Sequence, residues 1–334
     1  MRTMRLAAGA LGISLLTFGV AGLSGAAPTA TTAAAADPSA GPTVMTDVWH
    51  GDAAVPAPPA VTRTRTLTDA QEAQPRRIPA TIRRFSGPDA PVQSPTPRAM
   101  PASTSWDGIG ATGVLPPDPS GEAGPSNFVQ MVNDDIGSVY RVYDKAGSAL
   151  TSTLSMGSLW PGGTFCNIDA AGDRLVLYDQ TVDRWVLTQF TNAGAGPYYF
   201  CMAISKGSNP VSSGWWVYTF QTPNNRFPDY LKFAVWSDGY YMTANEFGDL
   251  KADNGVGIWA IDRTPMLTGA AATSIYFHLS KTYYGLEAAD IDGPTLPPVG
   301  EAEHVMAYDQ NNANRLLMWD VHADWVTPGN STIT

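Results

Sequence analysis

The sequence predicts an all-β chain: a β-propeller of four-stranded antiparallel blades, incomplete with about three to four blades visible, preceded by a disordered segment. Three observations carry this expectation. An apolar run, a polar turn and a second apolar-aromatic run recur four times after about residue 125. Nine of the ten tryptophans, all 13 tyrosines and nine of the 11 phenylalanines follow residue 104. Ahead of them the composition is of another kind, with 13 of the 27 prolines inside 28–104.

Taken in order, residues 1–27 read as an export signal. Arg2 and Arg5 precede the apolar stretch Leu6 to Leu23, and the small residues Ser24-Gly25-Ala26-Ala27 follow as a cleavage site. No later stretch approaches the roughly 20 apolar residues of a spanning helix, so the mature chain is expected to be secreted, or attached to a cell surface, with no membrane span. Residues 28–104 hold one tryptophan, Trp49, and no tyrosine. Such a stretch cannot bury enough apolar surface to offset its ordering entropy, which makes it a disordered stalk or pro-segment. Its basic pairs Arg76-Arg77 and Arg83-Arg84 are either solvated linker charges or processing sites.

Residues 105–334 form the propeller domain. Its hairpins are Phe128–Val132 with Val139–Tyr143, Leu175–Tyr178 with Trp185–Phe190, Phe233–Trp236 with Tyr240–Phe247, and Val305–Tyr308 with Leu316–Val321. Polar turn residues between β-rich runs are the hairpin signal. Val132, Tyr178, Trp236 and Tyr308 fall in one slot of the unit, as though they were equivalent points of successive blades. Tyr198–Ile204 and Trp215–Phe220 complete the second unit, and Gly257–Ile261 and Ser274–Leu279 the third. The fourth hairpin is followed by little further sequence, so three blades and the first half of a fourth are expected, the domain being truncated.

The two cysteines, Cys166 and Cys201, are expected to form a disulfide in an oxidising compartment. From Ser105 onward 24 acidic residues face 11 basic ones. That balance argues against nucleic acid and anionic membrane surfaces as partners, since both require basic patches.

Several separated motifs resemble a family of secreted bacterial β-propeller proteins of uncharacterised function. They are Pro116-Pro117-Asp118-Pro119-Ser120-Gly121-Glu122-Ala123-Gly124-Pro125 with Val129-Gln130-Met131-Val132-Asn133, and Gly172-Asp173-Arg174-Leu175-Val176-Leu177-Tyr178-Asp179 with Asp183-Arg184-Trp185. The resemblance spans about residues 105–325 and implies a secreted propeller that continues beyond this chain; it carries over no catalytic residues. Arg174 departs from it, proline being common there, and is expected to affect only the start of one strand. Asp118, Asp173 and Asp229 read as turn aspartates that accept backbone N–H bonds before a strand.

No nucleophile elbow, zinc-binding helix or phosphate-cradling loop occurs. Glu246, beside Tyr240, Tyr241 and Asn245, is the weak catalytic candidate. Ser205-Lys206-Gly207-Ser208-Asn209-Pro210 resembles the structural Asp-box turn of sialidases without its aspartate. Asp249 with Asp253, and Asp290 with Asp292, place oxygens at close spacing beside a glycine and are candidate ligands for a structural calcium ion. The expectation from residues alone is a non-catalytic binding or interaction module for extracellular glycan or protein. The alternative is a sialidase-like or other extracellular glycan hydrolase, favoured if Glu246 and arginines converge in the central channel.

Overall fold

The computed structural model describes residues 41–55, 105–135, 137–168, 170–191, 196–248, 252–293, 295–309 and 315–334. The export signal and most of the proline-rich stretch therefore lie outside the described residues. Eighteen strands build four antiparallel sheets among those residues.

The first sheet is a meander of β3 (Ser120–Ala123), β4 (Asn127–Asp134), β5 (Gly137–Asp144) and β6 (Leu154–Ser155). The second runs through β7 (Ala170–Asp179), β8 (Arg184–Thr191), β9 (Tyr199–Ser205) and β10 (Trp215–Gln221). The third contains β11 (Arg226–Val235), β12 (Tyr240–Gly248), β13 (Ala252–Ile261) and β14 (Thr273–Leu279). The fourth is β15 (Glu287–Ala288), β16 (Glu303–Tyr308), β17 (Leu316–His322) and β18 (Thr332–Ile333).

These sheets are propeller blades. The leading strands sit side by side, β3 touching β7, β7 touching β11 and β11 touching β15, so they line a common axis. Three apolar clusters fill the space between consecutive sheets. Met131 and Tyr140 meet Trp185 and Trp215 between the first and second. Phe200 and Met202 meet Phe233 and Trp259 between the second and third, and Ile258 and Phe277 meet Val305 and Trp319 between the third and fourth. The strands β8, β9, β10 and β12 of the two middle blades are buried along nearly their whole length because both faces are covered, the reason their apolar runs are nearly continuous in sequence.

The structure corrects four expectations. Residues 41–55, placed in the disordered stretch, form β1 (Thr43–Thr46) and β2 (Trp49–Ala53), which add a fifth strand to the third and second blades. The fourth blade has all four strands; β15 and β18 are two residues each and too short to leave a pattern. The recurring hairpins are not equivalent. In the second and third blades they are strands one and two, whereas in the first and fourth they are strands two and three. Val132, Tyr178, Trp236 and Tyr308 therefore do not mark one blade position. Turn chemistry is the same for either pair of strands, which is how the two became confounded.

The true repeat is a backbone one. Asp118, Asp173, Tyr230 and Gly285 all adopt positive φ, at intervals of 55, 57 and 55 residues. Each stands two residues ahead of a paired residue of its inner strand: Ser120 and Glu287 begin the ladders of β3 and β15, while Leu175 and Lys232 resume those of β7 and β11 after a register shift. The left-handed residue re-aims each inner strand at the same step, as an entry turn in the first and fourth blades and as a bulge within the strand in the second and third. Its four residue types share nothing in a linear reading.

The cysteines are bonded, Cys166 to Cys201. The bridge pins the short helix α1 (Phe165–Ile168), which leads out of the first blade, to β9 in the second.

Candidate functional site

The left-handed turns bring charged side chains of successive blades together at one end of the axis. Asp118, ahead of β3, accepts a hydrogen bond from Asn133 Nδ2 at 2.9 Å. Arg174, at the head of the second blade, donates from Nη1 to the Pro117 carbonyl at 3.1 Å and holds Nη2 3.9 Å from Asp118 Oδ2. Asp173 turns the other way: its Oδ2 accepts the backbone N–H of Tyr230 in the third blade at 3.1 Å. Lys232 lies with its ammonium 3.5 Å from the centre of the Tyr230 ring, and Glu287 of the fourth blade feels its charge. A chain of alternating charge thus crosses four blades: Asp118, Arg174, Asp173, Lys232 and Glu287.

Close approach of the backbones makes this possible. A Cβ at Gly172 would stand 2.8 Å from Asn133 Oδ1, so only glycine lets the second blade come this near the first. Burial pushes the Asp173 carboxyl up from its usual range, reinforced by Asp118 and opposed by Arg174, the Tyr230 N–H and Lys232. Burial also raises the Glu287 carboxyl. Arg174 is 2% exposed, and desolvation lowers its guanidinium to about 10. Its Nε and Nη2 make no hydrogen bond, so donors of a buried cation stand unused beside the two aspartates. Tyr230, 41% exposed, offers its ring to solvent at the rim. Asp118 and Asp173, legible in sequence as turn aspartates, are the two carboxyls of this row. Arg174, expected to affect only the start of one strand, reaches across to the first blade, and no signal in the sequence points to Lys232, Tyr230 or Glu287.

Glu246 is elsewhere. On β12 it shares the face of Met242 and Ala244, between the second and third blades, and is fully buried. Its Oε2 accepts from Arg226 Nη1 at 2.9 Å and from the Tyr276 hydroxyl at 2.7 Å, with His278 Nε2 at 3.6 Å. Gly257 leaves room for it, since a Cβ there would lie 2.9 Å from Glu246 Oε1. Burial raises its carboxyl while the bonds from Tyr276 and Arg226 pull it down, and burial with Glu246 raises the Tyr276 phenol. An arginine does converge on Glu246, but inside a blade interface. The arrangement is a brace holding β11, β12 and β14 together.

Asp290 and Asp292 lie past β15, toward the other end of the inner strands. Asp290 Oδ1 accepts the Val235 N–H at 2.6 Å, and burial, with Asp292, Glu122 and Asp179 nearby, pushes its carboxyl up to about 6. Asp249 lies outside the described residues, as does the side chain of Asp253. Among the described residues, no group of three or more His, Cys, Asp or Glu is placed to hold a metal ion. The Ser205–Pro210 turn joins β9 to β10 and is structural: Ser205 Oγ accepts the Trp185 N–H at 2.8 Å, and Trp185 Nε1 donates to the Ser208 carbonyl at 3.1 Å.

Near Asp290, Glu303 is fully buried with Oε1 accepting the Ala289 N–H at 2.7 Å and Oε2 without a partner. Burial, with Asp238 and Asp290 adding to it, pushes this carboxyl up to about 9. A carboxyl raised in the folded state contributes stability that is complete below its unfolded pKa and is lost as pH rises through the folded one. Unfolding free energy is therefore expected to fall between about pH 4.5 and pH 9 on this account. Glu303→Gln, which cannot ionise, is expected to flatten that slope and to gain about 3 kcal/mol at pH 7. Urea midpoints measured at half-unit pH steps check this; equal slopes in both proteins would refute it.

No known family matches this sequence, and no curated protein does. Two solved structures are similar at low level. A chain from Bifidobacterium bifidum s17, described as an exo-beta-1,3-galactanase, is 10% identical with a TM-score of 0.34, over 65% of this chain and 85% of its own. An exo-1,5-alpha-L-arabinanase from a bovine ruminal metagenomic library is 11% identical with a TM-score of 0.26, over 65% of this chain and 95% of its own. Likeness at this level carries no weight beside the site geometry.

Proposed function

We propose that this chain is a secreted glycan hydrolase whose centre is the axial site of Asp118, Arg174 and Asp173. The observation that supports it is the Asp118–Arg174–Asp173 row, in which two carboxyls from neighbouring blades stand in opposed environments. Hydrolysis of a glycosidic bond needs one carboxyl that holds a proton and one that has lost it. Burial keeps the proton on Asp173 to higher pH, which suits it to protonate the leaving oxygen. Asp118, held by Asn133 Nδ2 at 2.9 Å and standing 3.9 Å from Arg174 Nη2, is placed to activate the water that completes the cleavage. Tyr230 supplies a ring against which a sugar face can pack.

The alternative, binding without turnover, draws on the same exposed Tyr230 with Lys232 stacked on it. One screen separates the two. Aryl glycosides and a broad panel of polysaccharides are assayed for reducing ends and for retention on the protein. Release of reducing ends supports hydrolysis, retention alone supports binding, and neither outcome across the set counts against the axial site.

A further inference from the structure

The outer edges of the second and third blades carry an extended peptide that the rest of the domain does not build. β1 pairs with β14 from Thr43↔Tyr276 to Thr46↔Thr273, and β2 with β10 from Trp49↔Thr219 to Ala53↔Trp215. Between the two strands the segment steps from one blade to the next. There the Asp47 N–H donates to the Ala272 carbonyl and the Val48 N–H to the Thr219 carbonyl, both at 2.9 Å, while Asp47 Oδ2 accepts the Ala272 N–H at 2.5 Å. Met45 packs on the cluster between the second and third blades. Trp49 and Ala53 pack on the cluster between the first and second. Lys206 pairs with Asp52, and the His50 ring stacks on Tyr218 at 6.0 Å.

We propose that residues 41–55 are a separable clasp: a strand ligand that the β10 and β14 edges hold by their own contacts, and that stays seated when the chain is cut between it and the blades. Main-chain pairing supplies affinity in such strand addition, and alternating side chains set the register. Forty-nine residues, 56–104, join the clasp to the domain. Cutting within that stretch removes whatever the covalent connection contributes, so retention after the cut rests on the contacts themselves. Two edges that would otherwise be open to pairing with other chains are covered by it. The acceptor surface is thus fitted to an extended peptide of this pattern, with an apolar residue at positions 45, 49 and 53.

The test uses the full chain with a site-specific protease sequence replacing residues 78–82, between the basic pairs. After cutting, the N-terminal fragment is expected to co-elute with the body in equal amounts, and an excess of labelled synthetic 41–55 peptide is expected to replace it. The same chain carrying Met45→Asp and Trp49→Asp is expected to lose the fragment on cutting while the body keeps its strand circular dichroism. Elution of the parent fragment apart from a folded body would overturn the proposal. So would unfolding of the body on cutting alone, or equal retention of the doubly substituted fragment.

Discussion

Replacing Asp179 with alanine is expected to lower the unfolding free energy by about 3–5 kcal/mol, because it leaves a buried guanidinium without its counter-ion. Asp179 ends β7 and is fully buried; its Oδ2 accepts from Arg263 Nη1 at 2.8 Å, and its Oδ1 accepts the Thr181 N–H at 3.0 Å. Arg263 opens the short helix α2 (Arg263–Met266) after β13, donating also to Thr181 Oγ1 at 2.8 Å and to the Ser237 carbonyl at 2.9 Å. This one cation therefore joins the second blade to the turn between β11 and β12. Such a pair is weak evidence of net stabilisation, but breaking it is costly. Accordingly Asp179→Leu combined with Arg263→Met is expected to lose much less than the sum of the two single changes. Urea denaturation of the four proteins in a double-mutant cycle measures the difference.

Removing the disulfide is the second large effect. Closing a loop of 35 residues restricts the unfolded chain, worth about 3–4 kcal/mol from loop-closure entropy. Both cysteines are fully buried, and Cys166 Sγ sits 3.2 Å from Thr219 Oγ1, so alanine pairs at these positions also remove packed sulfur. Cys166→Ala with Cys201→Ala is expected to shift the urea midpoint downward by an amount matching at least the entropic figure. An unchanged midpoint would mean that α1 is held to the second blade by its other contacts, among them Gln189 Nε2 of β8 donating to the Cys166 carbonyl at 3.1 Å.

Much of the blade structure was legible because fully covered strands leave long apolar runs. Phe128–Val132, Trp185–Phe190 and Tyr240–Phe247 lie within β4, β8 and β12, and the runs at Trp215–Phe220 and Ser274–Leu279 lie within β10 and β14. The cysteine pairing followed from compartment and number. The short inner strands were not legible: Ser120-Gly121-Glu122-Ala123 and Glu287-Ala288 carry no large apolar residue, since strands of this length at the axis are placed by turns and not by burial. β1 and β2 were hidden for another reason. Val44 and Val48 are about half exposed, and an edge strand that covers only one flank needs little apolar surface of its own.

The axial site was half visible. Asp118 and Asp173 drew notice as turn residues, and they are that, holding Asn133 and Tyr230. What a linear reading lacks is the 55-residue step that stacks one turn on the next and places Arg174 between them. Arg174 was read as a local departure, yet it bridges two blades. Glu246, the sequence's own candidate, sits among Arg226, Tyr276 and His278 inside an interface, where its role is to hold strands.

The central claim is that Asp173 delivers a proton and Asp118 receives one at the axial site. It is tested most directly by the pH dependence of kcat/KM, from pH 4 to 9, for the parent chain, Asp118→Asn and Asp173→Asn on the glycan that the screen identifies. The parent is expected to give a bell, its alkaline limb lying above the ordinary aspartate range because the burial of Asp173 raises its carboxyl. Each variant is expected to lose at least about 100-fold at the optimum, and Asp173→Asn to lose the alkaline limb as well. Full activity with an unshifted profile in Asp173→Asn would contradict the account.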